Sequence, residues 1–374
     1  MSYTLNKLKA GIQNSYWSNT YTPTDAIIFL TYRCTSQCKA CNIWQRKVNP
    51  DDELSWEQWK PILQNLAGNK VRSIELFGGD ALLRKDVLIN MIRFCTDNDI
   101  YTFFPTNSSS LTEKTVEDIV DAGLGTIYFS LDEAPGIGES IRGVKRHFER
   151  VTNSIKLLKR VRGERKSPRI VCITTVSCMN YDVLDTLADV AYEAGADEYE
   201  IHGISEFTTE AVAASAVNGV LPDPYFMPTD DKSHAFSEHQ ARELLAILKR
   251  IRQHRDKYRP MSITMENLDG LEAEQLTQLH YPHQTCLFAT TQVVISPYGN
   301  VIPCLYYKDY HLGNMEKHDL SDIWGNEKHK AFCQQQRNNR IPLCNHCSNK
   351  YYHKPFFPVM KAVTRDVFRR LTGS

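Results

Sequence analysis

Between Asp25 and His254, six short runs rich in Ile, Val, Phe and Tyr alternate with six amphipathic runs. This alternation constrains the fold more than any other feature of the chain. The strand-like runs are Ala26–Tyr32, Arg72–Phe77, Ile100–Phe104, Thr126–Leu131, Ile170–Val176 and Glu198–His202. Ser55-Trp56-Glu57-Gln58 reads as a capping box opening the first helix. Later helical patterns cover Arg84–Thr96, Thr112–Ala122, Lys145–Arg160, Tyr181–Ala194 and Ser237–His254. Strand-then-helix units in series predict parallel strands joined by right-handed crossovers. Six units fall short of the eight that close a barrel. The predicted fold is therefore α/β, a partial (β/α)6 TIM-like barrel left open, with a doubly wound sheet as the alternative topology.

The remaining segments divide around that series. Residues 1–24 form an N-terminal extension and residues 25–260 the barrel. Residues 206–233 break the rhythm with an Ala-rich and then a Pro-rich stretch, read as a rim insertion that is either a lid or a plain surface loop. Residues 261–354 hold five cysteines and a hairpin signal over Val293–Ile302, and read as a separate metal-stapled region. Residues 355–374 read as a basic amphipathic C-terminal helix.

Composition removes several classes of function. The 374 residues carry 44 Lys plus Arg against 44 Asp plus Glu, so no basic excess points to nucleic acid. No apolar signal segment opens the chain and no run of ~18 apolar residues spans a membrane. Eleven cysteines in a chain of this size, without a secretory signal, argue against a disulfide framework. Seven of the eleven fall into two groups flanking a cysteine-poor middle.

The first group, Cys34-Thr-Ser-Gln-Cys38-Lys-Ala-Cys41, follows directly on the first strand. Three thiolates on one loop can converge on a soft metal centre, and three protein ligands leave a coordination position open. A structural zinc site would want four ligands. This CxxxCxxC pattern at the end of the first strand of a βα series resembles the radical S-adenosylmethionine (radical SAM) superfamily. The resemblance implies a [4Fe–4S] cluster on Cys34, Cys38 and Cys41 whose free iron binds the amino and carboxylate groups of SAM. Reductive cleavage of SAM would then give a 5′-deoxyadenosyl radical that removes a hydrogen atom from substrate. A flavodoxin or ferredoxin would deliver the electron, and oxygen-sensitive clusters imply a cytoplasmic setting.

Further residues fall where the family places its SAM contacts. Gly78-Gly79-Asp80 after the second strand resembles the Gly-Gly-Glu segment that receives the SAM ammonium, with Asp80 one methylene shorter than the usual Glu. Pro105-Thr106-Asn107 resembles a Thr-Asn-Gly turn, and Ser130 ends the fourth strand. In related enzymes Ser130 would lie near the SAM ribose or carboxylate, and Arg142 would pair with the carboxylate. Ala40 stands where the family usually has a bulky residue against the adenine.

The second group comprises Cys286, Cys304, Cys344 and Cys347, with Gly299 between the first two. It resembles the SPASM/twitch extension of radical SAM enzymes, truncated to the form with one auxiliary [4Fe–4S] cluster, because His353 and Phe357 stand where further cysteines would follow. A four-cysteine zinc ribbon is the competing reading of the same spacing. An auxiliary cluster would pass an electron to or from the substrate, or brace the fold. Four cysteines remain: Cys95, Cys172, Cys178 and Cys333. Cys178, just past the fifth strand, is placed best to return a hydrogen atom to a substrate radical, and a packed thiol is the plainer reading of each.

Only about 25 residues precede the first strand, less than a peptide-recognition domain needs. The expected substrate is therefore a small polar metabolite (a sugar, aminocyclitol or nucleoside) that is oxidised or epimerised. Maturation of a ribosomal peptide is the alternative, and a zinc-stapled structural protein is the alternative of another class.

Overall fold

A computed structural model describes residues 23–136, 140–227, 233–281, 286 and 288–348 of the chain. The six expected strands form within two residues of their sequence limits at the N-terminal ends. They are β1 (Asp25–Phe29), β2 (Ser73–Phe77), β3 (Tyr101–Thr106), β4 (Thr126–Ser130), β5 (Arg169–Val176) and β6 (Glu198–Gly203). Between and after them run α1 (Trp56–Gly68), α2 (Lys85–Asp97), α3 (Glu113–Ala122), α4 (His147–Arg162), α5 (Leu184–Ala194), the short α6 (Thr209–Ala213) and α7 (Glu238–Gln253). The Ser55 capping box is formed on both sides: Gln58 N–H donates to Ser55 Oγ at 3.4 Å and Ser55 N–H to Gln58 Oε1 at 2.9 Å. Trp59, Ile62, Leu63 and Leu66 then place the apolar stripe of α1 against the sheet at three- and four-residue spacing.

All neighbouring pairs from β1 to β6 are parallel, and the strands lie in chain order. A doubly wound sheet reverses its strand order at a switch point. The unbroken order here, with right-handed crossovers, keeps the helices on one side and curls the sheet into a partial TIM-like barrel. Alternation along each strand sorts the two faces: Ile74 and Leu76 of β2 are fully buried beneath the helical layer, while Glu75 and Phe77 point into the barrel.

The sheet extends further than the sequence indicates. β7 (Ser262–Thr264) pairs parallel with β6; it is three residues long, too short to give a readable pattern. The hairpin signal becomes β8 (Gln292–Ile295) and β9 (Asn300–Ile302), and β8 pairs parallel with β1 over Asp25–Ile28. A two-residue strand, β10 (Gly313–Asn314), completes the ten-stranded sheet beyond β9. The C-terminal cysteine region is thus carried on the first edge of the barrel sheet rather than standing clear of it. A last helix, α8 (Glu327–Arg337), packs Phe332 and Cys333 inward. The expected helix over residues 355–374 lies outside the described residues, as do His353 and Phe357. Among the described residues no helix is long and apolar enough to cross a membrane.

Candidate active site

The loop after β1 carries Cys34, Cys38 and Cys41 at the C-terminal end of the sheet, where barrel enzymes build their sites. Backbone bonds clamp it from two sides. Gly79 N–H donates to Thr31 O at 3.0 Å and Asp80 N–H to Arg33 O at 2.9 Å. Gln37 N–H donates to Arg142 O at 3.2 Å and Lys39 N–H to Ile141 O at 3.0 Å. Close approach explains the glycines: a Cβ on Gly79 would stand 2.2 Å from the Arg33 carbonyl oxygen, and one on Gly143 2.5 Å from that of Gln37. A carboxylate the sequence does not mark, Glu53, braces the base of the loop. Its buried side chain pairs with Arg33 at 2.7 Å and with Arg84 at 3.2 Å, and it accepts from Thr31 Oγ1.

Burial raises the thiol pKa values, to about 11 for Cys34 and about 12 for Cys41, and the thiols' neighbouring negative charges add to the effect. Cys38 is raised by burial as well. Three half-buried sulfurs with raised pKa values become thiolates readily only beside concentrated positive charge, which a metal centre provides.

The expected SAM contacts gather around this loop, but several are committed to it. Asp80 is buried, accepts from Thr35 Oγ1 at 2.5 Å, and caps a 3₁₀ turn through Leu82 N–H at 3.1 Å. The Asn107 amide donates to Thr35 Oγ1 at 2.9 Å and Ser36 Oγ at 2.5 Å. The Arg142 guanidinium bonds Asp132. Burial opposes the Arg142 charge, and Asp132 with the Cys38 thiolate outweighs that and raises its pKa. Asp132 lies two residues beyond the end of β4, where it meets the 140–143 turn. Ser130 is buried at the end of β4, as expected.

Cys286, Cys304, Cys344 and Cys347 line one small cavity together with Phe288, Tyr306 and Phe332. Cys344 lies within, and Cys347 just after, the 3₁₀ turn Pro342–His346, and Cys304 follows β9. The Cys304 thiol is raised well above its usual pKa by burial, and further by the other three cysteines. Four thiols around one cavity can hold an iron–sulfur cluster or a zinc ion.

One stretch of the rim insertion ties the two cysteine sites together. Tyr225 O accepts from Asn42 N–H at 2.9 Å, Asp223 N–H donates to Tyr306 O at 2.7 Å, and Arg46 pairs with Asp223 at 3.1 Å. Ser215 Oγ accepts from Leu343 N–H at 2.9 Å.

Residues 28–189 match the radical SAM superfamily, and residues 286–348 match the SPASM iron–sulfur cluster-binding domain. The chain belongs to the radical SAM superfamily. Radical SAM domains bind a [4Fe–4S] cluster and SAM, and SPASM domains bind auxiliary iron–sulfur clusters. Relatives include PqqA peptide cyclase of Streptomyces rochei, 24% identical over 81% of this chain and 75% of that protein. AdoMet-dependent heme synthase of Methanosarcina barkeri is 26% identical over 79% of this chain and 80% of that protein. The fold is similar to that of Streptococcus suis SuiB bound to S-adenosylmethionine, with a TM-score of 0.65 and 17% identity over 93% of this chain and 77% of that one. SuiB has also been solved bound to its precursor peptide SuiA.

Within this radical SAM chain the four cysteines outside both groups separate clearly. Cys95, Cys172 and Cys333 are fully buried in α2, β5 and α8, and Cys333 is not among the residues lining the auxiliary cavity. Cys178 alone of the four is half-buried, beyond the end of β5.

Proposed function

We propose that this radical SAM enzyme is a maturase that modifies a ribosomal peptide. The observation supporting it is the extent of the match to PqqA peptide cyclase, 81% of this chain and 75% of that protein. The sporulation killing factor maturation protein SkfB of Bacillus subtilis, 28% identical over 48% of this chain and 42% of that protein, points the same way. The small-metabolite substrate expected from the short N-terminal segment yields to this alternative. That expectation rested on the room for an attached recognition domain, and a recognition element can belong to a separate protein. One observation keeps a non-peptide substrate in view, the similarity to a heme synthase.

In this reading Cys34, Cys38 and Cys41 hold the SAM-binding [4Fe–4S] cluster, and Cys286, Cys304, Cys344 and Cys347 hold the auxiliary one. The chemistry supplied by the bound group is reductive cleavage of SAM and removal of a carbon-bound hydrogen from the substrate. The protein's share is positional. Gly79, Asp80, Asn107 and Arg142 fix the cysteine loop and, with Gly78 and Ser130, would contact SAM, and the 223–226 stretch links the two cysteine sites. A flavodoxin or ferredoxin serves as electron donor, in the cytoplasm. Anaerobic reconstitution tests the reading. It should give about eight iron and eight sulfide per chain and dithionite-dependent 5′-deoxyadenosine. Co-expression with short peptides encoded beside the gene should yield one whose mass falls by two hydrogens. Colourless protein holding zinc, or turnover of a small metabolite with all such peptides unchanged, would overturn it.

A further inference from the structure

Helix α8 turns polar side chains toward the interior. His329, Phe332, Cys333 and Gln336 recur at three- and four-residue spacing on one face, and all four are buried. A buried polar group needs a partner. His329 has two, Gly325 N–H and Ala289 O. Cys333 Sγ bonds the same Ala289 carbonyl at 3.8 Å. Gln336 differs: it is only 9% exposed, and its side-chain amide makes no hydrogen bond among the described residues.

Gln336 lines the cavity of Cys286, Cys304, Cys344 and Cys347, one helical turn on from Phe332. The neighbouring lining offers an anion little. Phe288, Leu305 and Leu343 are apolar, and the Tyr307 hydroxyl already donates to Ser215 O at 2.6 Å. A primary amide brings two N–H donors. Leaving them unused at a buried position is costly unless the occupant of the cavity takes them up. A [4Fe–4S] cluster on four thiolates fits that need. It carries net negative charge, gains one more on reduction, and its sulfurs accept hydrogen bonds that tune its potential.

We propose that the Gln336 amide donates to a sulfur of the auxiliary cluster, a cysteine thiolate or a bridging sulfide, and thereby raises the reduction potential of that cluster. The inference rests on the auxiliary-cluster part of the reading above. The donor stabilises the reduced, more negative state more than the oxidised one. It therefore makes the site a better electron acceptor. After hydrogen removal the substrate radical gives one electron to the cluster, which is reduced by one, and one proton to water, which completes the loss of two hydrogens.

The test is an anaerobic redox titration of the reconstituted full-length enzyme with dithionite, followed by electron paramagnetic resonance. Added SAM marks the signal of the SAM-binding cluster, and the same titration on the Cys34→Ala/Cys38→Ala/Cys41→Ala variant shows the auxiliary signal alone. Gln336→Leu and Gln336→Met fill about the same volume without an N–H donor. Each should shift the reduction equilibrium of the auxiliary cluster about tenfold toward the oxidised state, the scale of one hydrogen bond to a charged group. That is a fall of ~59 mV for a one-electron couple. The midpoint of the SAM-binding cluster should not move. Iron content and thermal midpoint show which variants fold, and either one suffices. A residue that only fills space would act in the opposite sense, since a loosened cavity admits water and water also stabilises the more negative reduced state. An auxiliary midpoint that stays or rises in a folded variant overturns the proposal and leaves the cluster reading standing, as does a parallel shift of both clusters. Loss of about half the iron from the Gln336 variants also overturns it, because Gln336 would then hold the cluster in place. A parent enzyme with about four iron and one zinc per chain overturns the auxiliary-cluster reading itself, and the proposal with it.

Discussion

Arg142 holds the first cysteine loop and is itself held by Asp132: its guanidinium bonds the Asp132 carboxylate while its carbonyl accepts from Gln37 N–H at 3.2 Å. Asp132 is anchored in turn by Thr175 N–H at 2.7 Å. Asp132→Asn keeps that backbone bond but removes the charge opposite a guanidinium whose side chain is only 22% exposed. Breaking such a pair from one side costs about 3 kcal/mol. The variant should melt lower and lose iron faster on gel filtration. A cycle with Arg142→Gln decides whether the pair is the cause: the double variant should lose less than the sum of the singles. Strict additivity would show that the two act separately.

Gly79→Ala should damage the same loop without touching any charge. Its added Cβ would meet the Arg33 carbonyl oxygen at 2.2 Å and Cys34 Cβ at 3.0 Å. Backbone on one side and the cysteine on the other leave no flexible side-chain end to give way. The cost is at least about 2–3 kcal/mol, as for overpacking generally, and the iron of the SAM-binding site should fall while that of the auxiliary site stays. Equal loss from both sites, read by iron content in Gly79→Ala with and without Cys344→Ala, would show a global defect instead.

The order of strands and the two cysteine groups were legible because each rests on local pattern. Ile74 and Leu76 buried against Glu75 and Phe77 inward is the period-two signal itself, and the Ser55–Gln58 box announces α1 through side chains three residues apart. What was not legible depends on distance along the chain. β7 is too short to carry a period, and β8 finds β1 across 267 positions, Asp25 opposite Gln292. The bonds of Asp80 to Thr35 and of Arg142 to Asp132 were not legible for a related reason: each joins parts of the chain that no local pattern connects. Glu53, which pins the base of the cysteine loop through Arg33 and Arg84, lies outside every motif.

The two cysteine sites should fail differently. Cys34→Ala should abolish formation of 5′-deoxyadenosine, whereas Cys344→Ala should leave it uncoupled from product. Chromatographic assay of both compounds in one reaction separates the cases. Full product from Cys344→Ala would remove any electron-transfer role from the auxiliary site and leave it a brace.

Acid should loosen the auxiliary region through His329. The ring is fully buried, its Nδ1 accepts from Gly325 N–H at 2.9 Å, and its Nε2 therefore donates to Ala289 O, at 2.5 Å. A second proton would have to displace the Gly325 bond inside the core. Burial accordingly lowers the His329 pKa from 6.5 to about 4, with the Ala289 bond working the other way. The unfolded chain takes up this proton near pH 6.5 and the folded chain only near 4, so between them the unfolded state holds more protons. Stability is therefore intact above pH 6.5, falls as the pH drops through the window, and levels off below 4, by about 3 kcal/mol in all at ~1.4 kcal/mol per pH unit. His329→Gln keeps a donor for Ala289 and has nothing to titrate. Urea midpoints at pH 7 and pH 4.5 should thus converge for the variant relative to the parent, with acid lability of the clusters cancelling in the comparison. Parallel loss of stability in both proteins would place the acid-sensitive group elsewhere.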